Sequence, residues 1–439
     1  MKKAAFFTLG CKVNYYETEG LKYLFEQEGY RLTDFNDYAD VYVINTCTVT
    51  RQSDRKSRQM IRRARRRSPE AVIAVIGCYA QVYTEDLERM PEIDILLGTQ
   101  HRYRLLGLVE EVKKSGPRLE VEDFPYQPGF EDLPFYEGQQ RKRAFLKIQE
   151  GCEQYCSYCI VPLARGPSRS KQPEKVMEEV HRMAEQGFKE MVITGVHLGL
   201  YGRDLPGSSL GQIIRRIEEV PGIQRIRLSS LEPLDFTREL VEAISSSRKI
   251  CHHLHIPLQS GDDEVLKWMN RPYNTAEYAF LIGTLRDLIP ELAVSTDIIV
   301  GFPGETEEHH RRSLKFVRKM NFSRMHVFRY SPRPGTAASR FSGQVAPSGQ
   351  EKRSKEMEEA ARKMAAKYRR RFLGTCQDIL VEKVLESGEI EGLTRHYLRV
   401  KALAGSDASQ LPGSLVRVEL LEDIESQEAL KGRICPSIL

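Results

Sequence analysis

The chain has 439 residues, 41% of them hydrophobic and 29% charged, with 66 basic and 61 acidic side chains for a formal net charge of +5. That length allows two or three domains with cores of their own, and the balance excludes both the apolar composition of a membrane protein and the low hydrophobicity of a disordered one. No apolar run approaches the ~20 residues of a membrane span. The short N-terminal run in MKKAAFFTLGC reads as a strand rather than a signal peptide. The expected location is therefore cytoplasmic, where the nine cysteines stay reduced and point to metal or redox chemistry rather than disulfides.

From residue 1 to 135, β-branched runs at 4–9, 41–45, 71–76 and 93–97 alternate with helix-like segments. That alternation predicts a parallel, Rossmann-like α/β domain. The first three runs each end at a cysteine: Cys11 in KAAFFTLGC, Cys47 in VYVINTC and Cys78 in AVIAVIGC. One such cysteine reads as a small buried hydrophobe. Three of them, separated by 35 and then 30 residues, match the span of one βαβ unit each and fall on the edge where open parallel sheets bind ligands. Three thiolates on one edge suit zinc or an iron–sulfur cluster. After Cys47 comes SDRKSRQMIRRARRR, 53–67. As a helix it sets Arg55, Arg58, Arg62 and Arg66 on one face and Ser57, Met60, Ile61 and Ala64 toward another. The basic face serves either solvent or RNA phosphates.

The stretch VEDFPYQPGFEDLPFYEGQQ, 121–140, reads as a linker. From 140 to 345 the strands EMVITGV, QRIRLSSL, LHIPL, VSTDIIVGF and RMHVFRYS recur between helical segments, predicting a full or partial barrel. This block opens on GCEQYCSYCIVPLARG, 151–166. Cys152, Cys156 and Cys159 occupy a loop compact enough to place three thiolates on three corners of a cubane, leaving one iron without a protein ligand. The next cysteine, Cys251, is far along the chain, and zinc with a fourth ligand from elsewhere is the alternative. Tyr158, just before the third cysteine, fits a site shielded from water. Residues 346–370 have the composition of an exposed charged helical linker. In 371–439, the segments CQDILVEKVL, RHYLRVKAL and SLVRVELLEDI alternate apolar and polar residues, which predicts a small all-β domain. There Arg395, His396, Tyr397 and Arg399 offer a second site combining charge and aromatic stacking.

The CxxxCxxC loop with its aromatic residue, together with TLGCKVNYYETEG, NTCTVT, IGCYAQ, HIPLQSG and STDIIVGFPGET, resembles the radical S-adenosylmethionine methylthiotransferases across all three blocks. The resemblance implies a partial (β/α) barrel core, a C-terminal TRAM-like RNA-binding barrel, S-adenosylmethionine as cofactor and two 4Fe-4S clusters. One cluster, on Cys152, Cys156 and Cys159, would cleave the cofactor. The other, on Cys11, Cys47 and Cys78, would carry or supply sulfur. TLGCKVN with NTCTVT is most similar to the enzymes that methylthiolate carbon 2 of N6-threonylcarbamoyladenosine at position 37 of tRNA. Sister families act on isopentenyladenosine in tRNA or on a ribosomal protein. The implied partners are the tRNA anticodon stem-loop and an electron donor such as flavodoxin or ferredoxin, with no membrane. ITGVHLG lies at the place of the family's cofactor-binding glycine loop, so Thr194 and Gly195 are expected to hold the methionine amine. Glu232 and Asp297 are expected polar contacts near cofactor or substrate. Radical machinery suits the chemistry, because no side-chain acid or base removes an unactivated C–H hydrogen at neutral pH. An iron–sulfur RNA-binding redox sensor, the non-enzyme reading, needs neither the open-iron triplet nor the TGV and IVGFPGE loops.

Overall fold

A computed structural model describes residues 1–124, 129–134, 142–404 and 408–435; parts of the expected linker and the last residues of the all-β block lie outside them. The N-terminal domain is a six-stranded, wholly parallel sheet: β1 (Lys3–Thr8), β2 (Arg31–Thr33), β3 (Val41–Thr46), β4 (Val72–Gly77), β5 (Ile95–Leu97) and β6 (Arg118–Glu120), in the order β2-β1-β3-β4-β5-β6. Its helices are α1 (Lys12–Gln27), α2 (Arg51–Arg67), the short α3 (Cys78–Val82) and α4 (Thr84–Glu88), and α5 (Leu105–Ser115). β3 and β4 are buried at every position, which is why they read as continuous apolar runs rather than alternating ones. α2 starts where the Thr50 side chain accepts from the Ser53 amide at 3.2 Å and ends in Arg65, Arg66 and Arg67, charges that complement the helix dipole. Asp54, Ser57, Met60, Ile61 and Ala64 face the sheet.

The second unit opens with β7 (Ala144–Lys147), followed by a two-stranded ribbon of β8 (Gln149–Glu150) and β9 (Arg169–Ser170) that brackets the cysteine loop and α6 (Val161–Arg165). Then come β10 (Glu190–Thr194), β11 (Arg225–Leu228), β12 (His253–His255), β13 (Ala293–Val300) and β14 (Arg324–Arg329). β7, β10 and β11 form one parallel sheet and β12, β13 and β14 another, joined by a parallel bridge between Ile226 and Ile250. The result is a six-stranded partial barrel, and α1 of the N-terminal domain packs on β7. The helix Pro347–Arg370, expected to be an exposed linker, instead packs along β14 and buries Met357, Ala360, Met364 and Tyr368. Its charges mask an apolar stripe.

The C-terminal unit is a closed barrel of β15 (Cys376–Val384), β16 (Glu389–Thr394), β17 (Arg399–Leu403), β18 (Leu415–Ile424) and β19 (Ala429–Ile434). It docks on the barrel at the ends where the parallel strands begin. Arg225 donates to the carbonyls of Leu393 and Asp378 at 3.1 and 2.5 Å, and Arg227 to that of Thr394 at 2.6 Å. The ring of Tyr397 stacks on His253 with centroids 4.6 Å apart.

The N-terminal domain and the barrel are clamped by a buried ion network. Glu17 of α1 and Glu150 of β8 are wholly buried among Arg102, Lys147, Arg165 and Arg169. Arg165 reaches both carboxylates at 2.6 and 2.7 Å, Lys147 reaches both at 3.1 and 2.9 Å, and Arg102 lies 2.9 Å from Glu17. Burial opposes ionisation of Glu150, but the four cations prevail and hold its carboxyl well below the usual range. Breaking a buried network by removing one partner typically costs about 3–5 kcal/mol. Replacing Glu17 with Gln is therefore expected to lower the urea midpoint of unfolding sharply, while replacing exposed Lys355 leaves it within error.

Candidate active site

Cys11, Cys47 and Cys78 follow β1, β3 and β4, which are neighbours in the sheet. The first two straddle the point where the strand order reverses, the place where open α/β sheets bind ligands. Cys11 sits at the start of α1. Burial and the nearby Cys78 push the Cys47 thiol up to about 12, and Cys78 is also raised by burial, against the pull of Arg165. The loop closes tightly here. Gly10 has φ +97°, and a Cβ on it would fall 2.7 Å from Cβ of Cys47.

The second triad lies on the loop between β8 and α6. Gly151 has φ +79°, and a Cβ there would fall 1.8 Å from the Pro167 carbonyl oxygen, so only glycine lets the loop enter. The Cys159 amide donates to the Cys156 carbonyl at 2.9 Å, which folds the loop back on itself. Burial, with Cys156 and Cys152 close by, pushes the Cys159 thiol up to about 12. In both triads a metal must therefore displace thiol protons to bind.

A ring of polar contacts runs from Cys152 to Cys156. His197 places Nδ1 3.5 Å from Cys152 Sγ and Nε2 3.1 Å from Asp235; the amide of Glu232 donates to Asp235 at 2.9 Å. Glu232 accepts from Arg271, whose Nη1 lies 3.1 Å from Cys156 Sγ. Burial opposes protonation of His197, yet its bonds to Asp235 and Cys152 raise it to about 10. Of the polar residues singled out in the sequence, Glu232 thus belongs to this ring. Asp297 faces His255 at 3.3 Å. Thr194 ends β10 with its carbonyl accepting from the Ile148 amide at 3.0 Å, and Gly195 leaves room for Gln149, whose side-chain oxygen a Cβ would meet at 2.8 Å. Gln149 also donates to the carbonyls of Glu150 and Gly151. The expected glycine loop is thereby tied to the cysteine loop. His197, Asp235, Arg271 and Arg165 were not singled out in the sequence, although His197 lies within ITGVHLG and Arg165 within the cysteine segment.

A cavity of about 180 Å³ is lined by Val49 and Thr50 just after Cys47, by Tyr158 and Cys159, and by Asp297, Ile299, Phe328 and Tyr330 of the barrel. Among the described residues, no three His, Cys, Asp or Glu side chains are gathered to grip a single metal ion. Each triad instead offers three cysteines, on neighbouring strand ends or on one loop, with a cationic N–H donor on one sulfur, Arg165 on Cys78 and Arg271 on Cys156. Those features fit a cubane cluster held by thiolates.

The basic residues divide by exposure. Arg55, Arg62 and Arg66 are exposed on α2, whereas Arg58 is half-buried against the Tyr79 hydroxyl. Arg395 donates to the carbonyls of Arg248 and Ile250 and so ties the C-terminal barrel to the central one. Arg399 is half-exposed, 3.6 Å from Glu391. RHYLR, expected to start a strand, is instead a docking turn, with Tyr397 at φ +65° and β17 starting only at Arg399.

Because the Gly10 backbone leaves no room for a side chain, Gly10→Ala is expected to remove about half of the roughly eight irons that two cubanes hold. Iron and sulfide assayed per chain after anaerobic reconstitution check this; full loading would show that the loop can yield.

The model of an uncharacterized protein family, UPF0004, matches residues 3–98, and that of the radical SAM superfamily matches 146–317. The threonylcarbamoyladenosine tRNA methylthiotransferase MtaB of Bacillus subtilis is 40% identical over 428 residues, covering 96% of this chain and 94% of that protein. MtaB of Thermotoga maritima is 39% identical, covering 91% of each. A tRNA-2-methylthio-N(6)-dimethylallyladenosine synthase of Clostridium botulinum is 32% identical, covering 94% and 93%. Among solved structures, the radical S-adenosylmethionine methyltransferase TsrM of Kitasatospora setae matches with a TM-score of 0.55 over 77% of each chain at 15% identity, a likeness of fold alone. With relatives at this identity over almost its whole length, the chain belongs to the radical SAM methylthiotransferase family, whose cofactors are S-adenosylmethionine and 4Fe-4S clusters.

Proposed function

We propose that this chain replaces the hydrogen on carbon 2 of N6-threonylcarbamoyladenosine, at position 37 of tRNA, with a methylthio group. The observation that carries this reading is the pair of thiol triads, with Cys159 of one and Val49 and Thr50, just after Cys47 of the other, lining one cavity; the identity to MtaB proteins, higher than to the dimethylallyladenosine enzymes, favours the threonylcarbamoyl substrate. A cluster with one iron free of protein ligands supplies, when bound and reduced, the electron that splits S-adenosylmethionine to a carbon radical, and a second supplies or carries sulfur.

The chain's own residues divide the remaining work. Cys152, Cys156 and Cys159 would hold the first cluster, with His197 at the sulfur of Cys152 and Arg271 at that of Cys156; Cys11, Cys47 and Cys78 would hold the second. Thr194 and Gly195 would hold the methionine end of the cofactor, and Glu232 fixes Arg271. Asp297 with Tyr158, Phe328 and Tyr330 lines the cavity for the target base, where aromatic faces suit an unstacked nucleotide. Exposed Arg55, Arg62 and Arg66, with Arg58 beside them and Arg399 on the C-terminal barrel, hold phosphates of the anticodon stem-loop. Arg395 serves docking instead. The electron comes from a reduced flavodoxin or ferredoxin, and the enzyme acts in the cytoplasm.

Mass spectrometry of tRNA nucleosides from cells with and without the gene tests the assignment. The methylthio form of threonylcarbamoyladenosine is expected only with the gene, and its persistence without the gene contradicts the reading. Reversing Arg62 and Arg66 to Glu is expected to weaken tRNA binding and flatten the plot of log affinity against log salt by about 0.7–0.9 per lost phosphate contact. An unchanged slope would return this face of α2 to solvent.

A further inference from the structure

Arg165 ends α6, a helix of one and a half turns that begins two residues after Cys159. Its guanidinium is almost fully buried and leaves the barrel for the N-terminal domain. Nε lies 3.2 Å from Sγ of Cys78. One terminal nitrogen bonds both Glu17 and Glu150, and the other bonds the side-chain oxygen of Asn14 and Glu17. Asn14 in turn donates to the carbonyls of Leu9 and Thr46, the strand ends that lead to Cys11 and Cys47. The Thr99 hydroxyl donates to the Ala164 carbonyl at 2.8 Å, pinning the same turn from the N-terminal side. All directions of the guanidinium fork are thus used, and one of them is a thiol sulfur.

From this geometry we propose that Arg165 is a positioning residue that joins the two cysteine sites. It sets their separation through the ~7 Å length of α6 and donates an N–H···S hydrogen bond to Cys78 that raises the reduction potential of the group held there. The proposal rests on the reading that Cys11, Cys47 and Cys78 hold a cluster. The charge count agrees. Arg102, Lys147, Arg165 and Arg169 face the buried Glu17 and Glu150 and the mostly buried Glu131, which leaves one cation in excess beside Cys78. A sulfur ligand is anionic when it binds metal, and hydrogen bonds to cluster sulfurs together with local charge set its potential.

The experiment uses full-length protein in which Cys152, Cys156 and Cys159 are Ala, so that only the N-terminal site loads iron. With ¹⁵N-arginine incorporated, pulsed electron paramagnetic resonance of the reduced protein is expected to show a nitrogen coupling that shifts on isotope exchange. Among the described residues, Arg165 is the arginine within hydrogen-bond reach of that triad. In the same background, midpoint potentials are expected to fall in the order parent, Arg165→Lys, Arg165→Gln, because Lys keeps the charge without the directed bond and Gln keeps neither. A loaded cluster with no arginine nitrogen coupling, or with the same potential in folded Lys and Gln variants, overturns the proposal. Failure of both variants to fold leaves the isotope measurement on the unmutated arginine to decide. No iron at all in this background would overturn the cluster assignment, and the proposal with it.

Discussion

The architecture depends on the ion network buried between the N-terminal sheet and the barrel. By general energetics such a network contributes little against a well-packed apolar replacement. What it does is leave one docking geometry in which every carboxylate meets its cations. Glu17 projects from α1, the helix that begins just after Cys11, and Glu150 stands two residues before Cys152. The clamp therefore ties down the second turn of the helix beyond one triad and the entrance to the other. A second tie, from Arg333 to Asp54 at 2.7 Å, holds the start of α2 against the barrel and with it the basic face that follows Cys47.

Each triad then solves the same problem by a different local device. In the sheet, three neighbouring strands deliver one cysteine apiece, so long-range pairing positions the thiols. In the barrel, a single loop delivers all three, and tight turns at Gly151 and Cys159 do the positioning. Burial raises the thiols of Cys47 and Cys78 in one site and of Cys156 and Cys159 in the other. Both also supply one guanidinium to a sulfur from a distant part of the chain. Loading a cluster on these thiols would thus be coupled to proton release and, at Cys78, to correct docking of the domains.

The parallel sheet, the barrel and the placing of Cys11, Cys47 and Cys78 at strand ends were legible in the sequence, because apolar runs of strand length and cysteines at their ends are local patterns. The C-terminal barrel was legible as all-β, but β16 and β19 were not, because charge and glycine interrupt their apolar alternation. The helix Pro347–Arg370 was misread as exposed because its many charges conceal Met357, Ala360 and Met364, which share one face. The polar ring of the site was largely invisible for a different reason: His197 meets Cys152 across 45 positions, Arg271 meets Cys156 across 115, and Arg165 meets Cys78 across 87. No spacing rule reaches that far. Arg395 shows the converse, a charged aromatic-flanked residue that looks like an RNA contact and spends its donors on backbone carbonyls of the neighbouring domain.

The central claim is that one chain holds two thiol triads with separate tasks, fixed together by a buried clamp. Two triple variants measured side by side under anaerobic conditions test it most directly. With Cys11, Cys47 and Cys78 changed to Ala, the folded protein is expected to keep cleaving S-adenosylmethionine to 5′-deoxyadenosine while forming no methylthiolated tRNA. With Cys152, Cys156 and Cys159 changed instead, both products are expected to vanish. Sulfur insertion at the parental rate by the first variant would contradict the account and make Cys11, Cys47 and Cys78 ordinary strand-end cysteines.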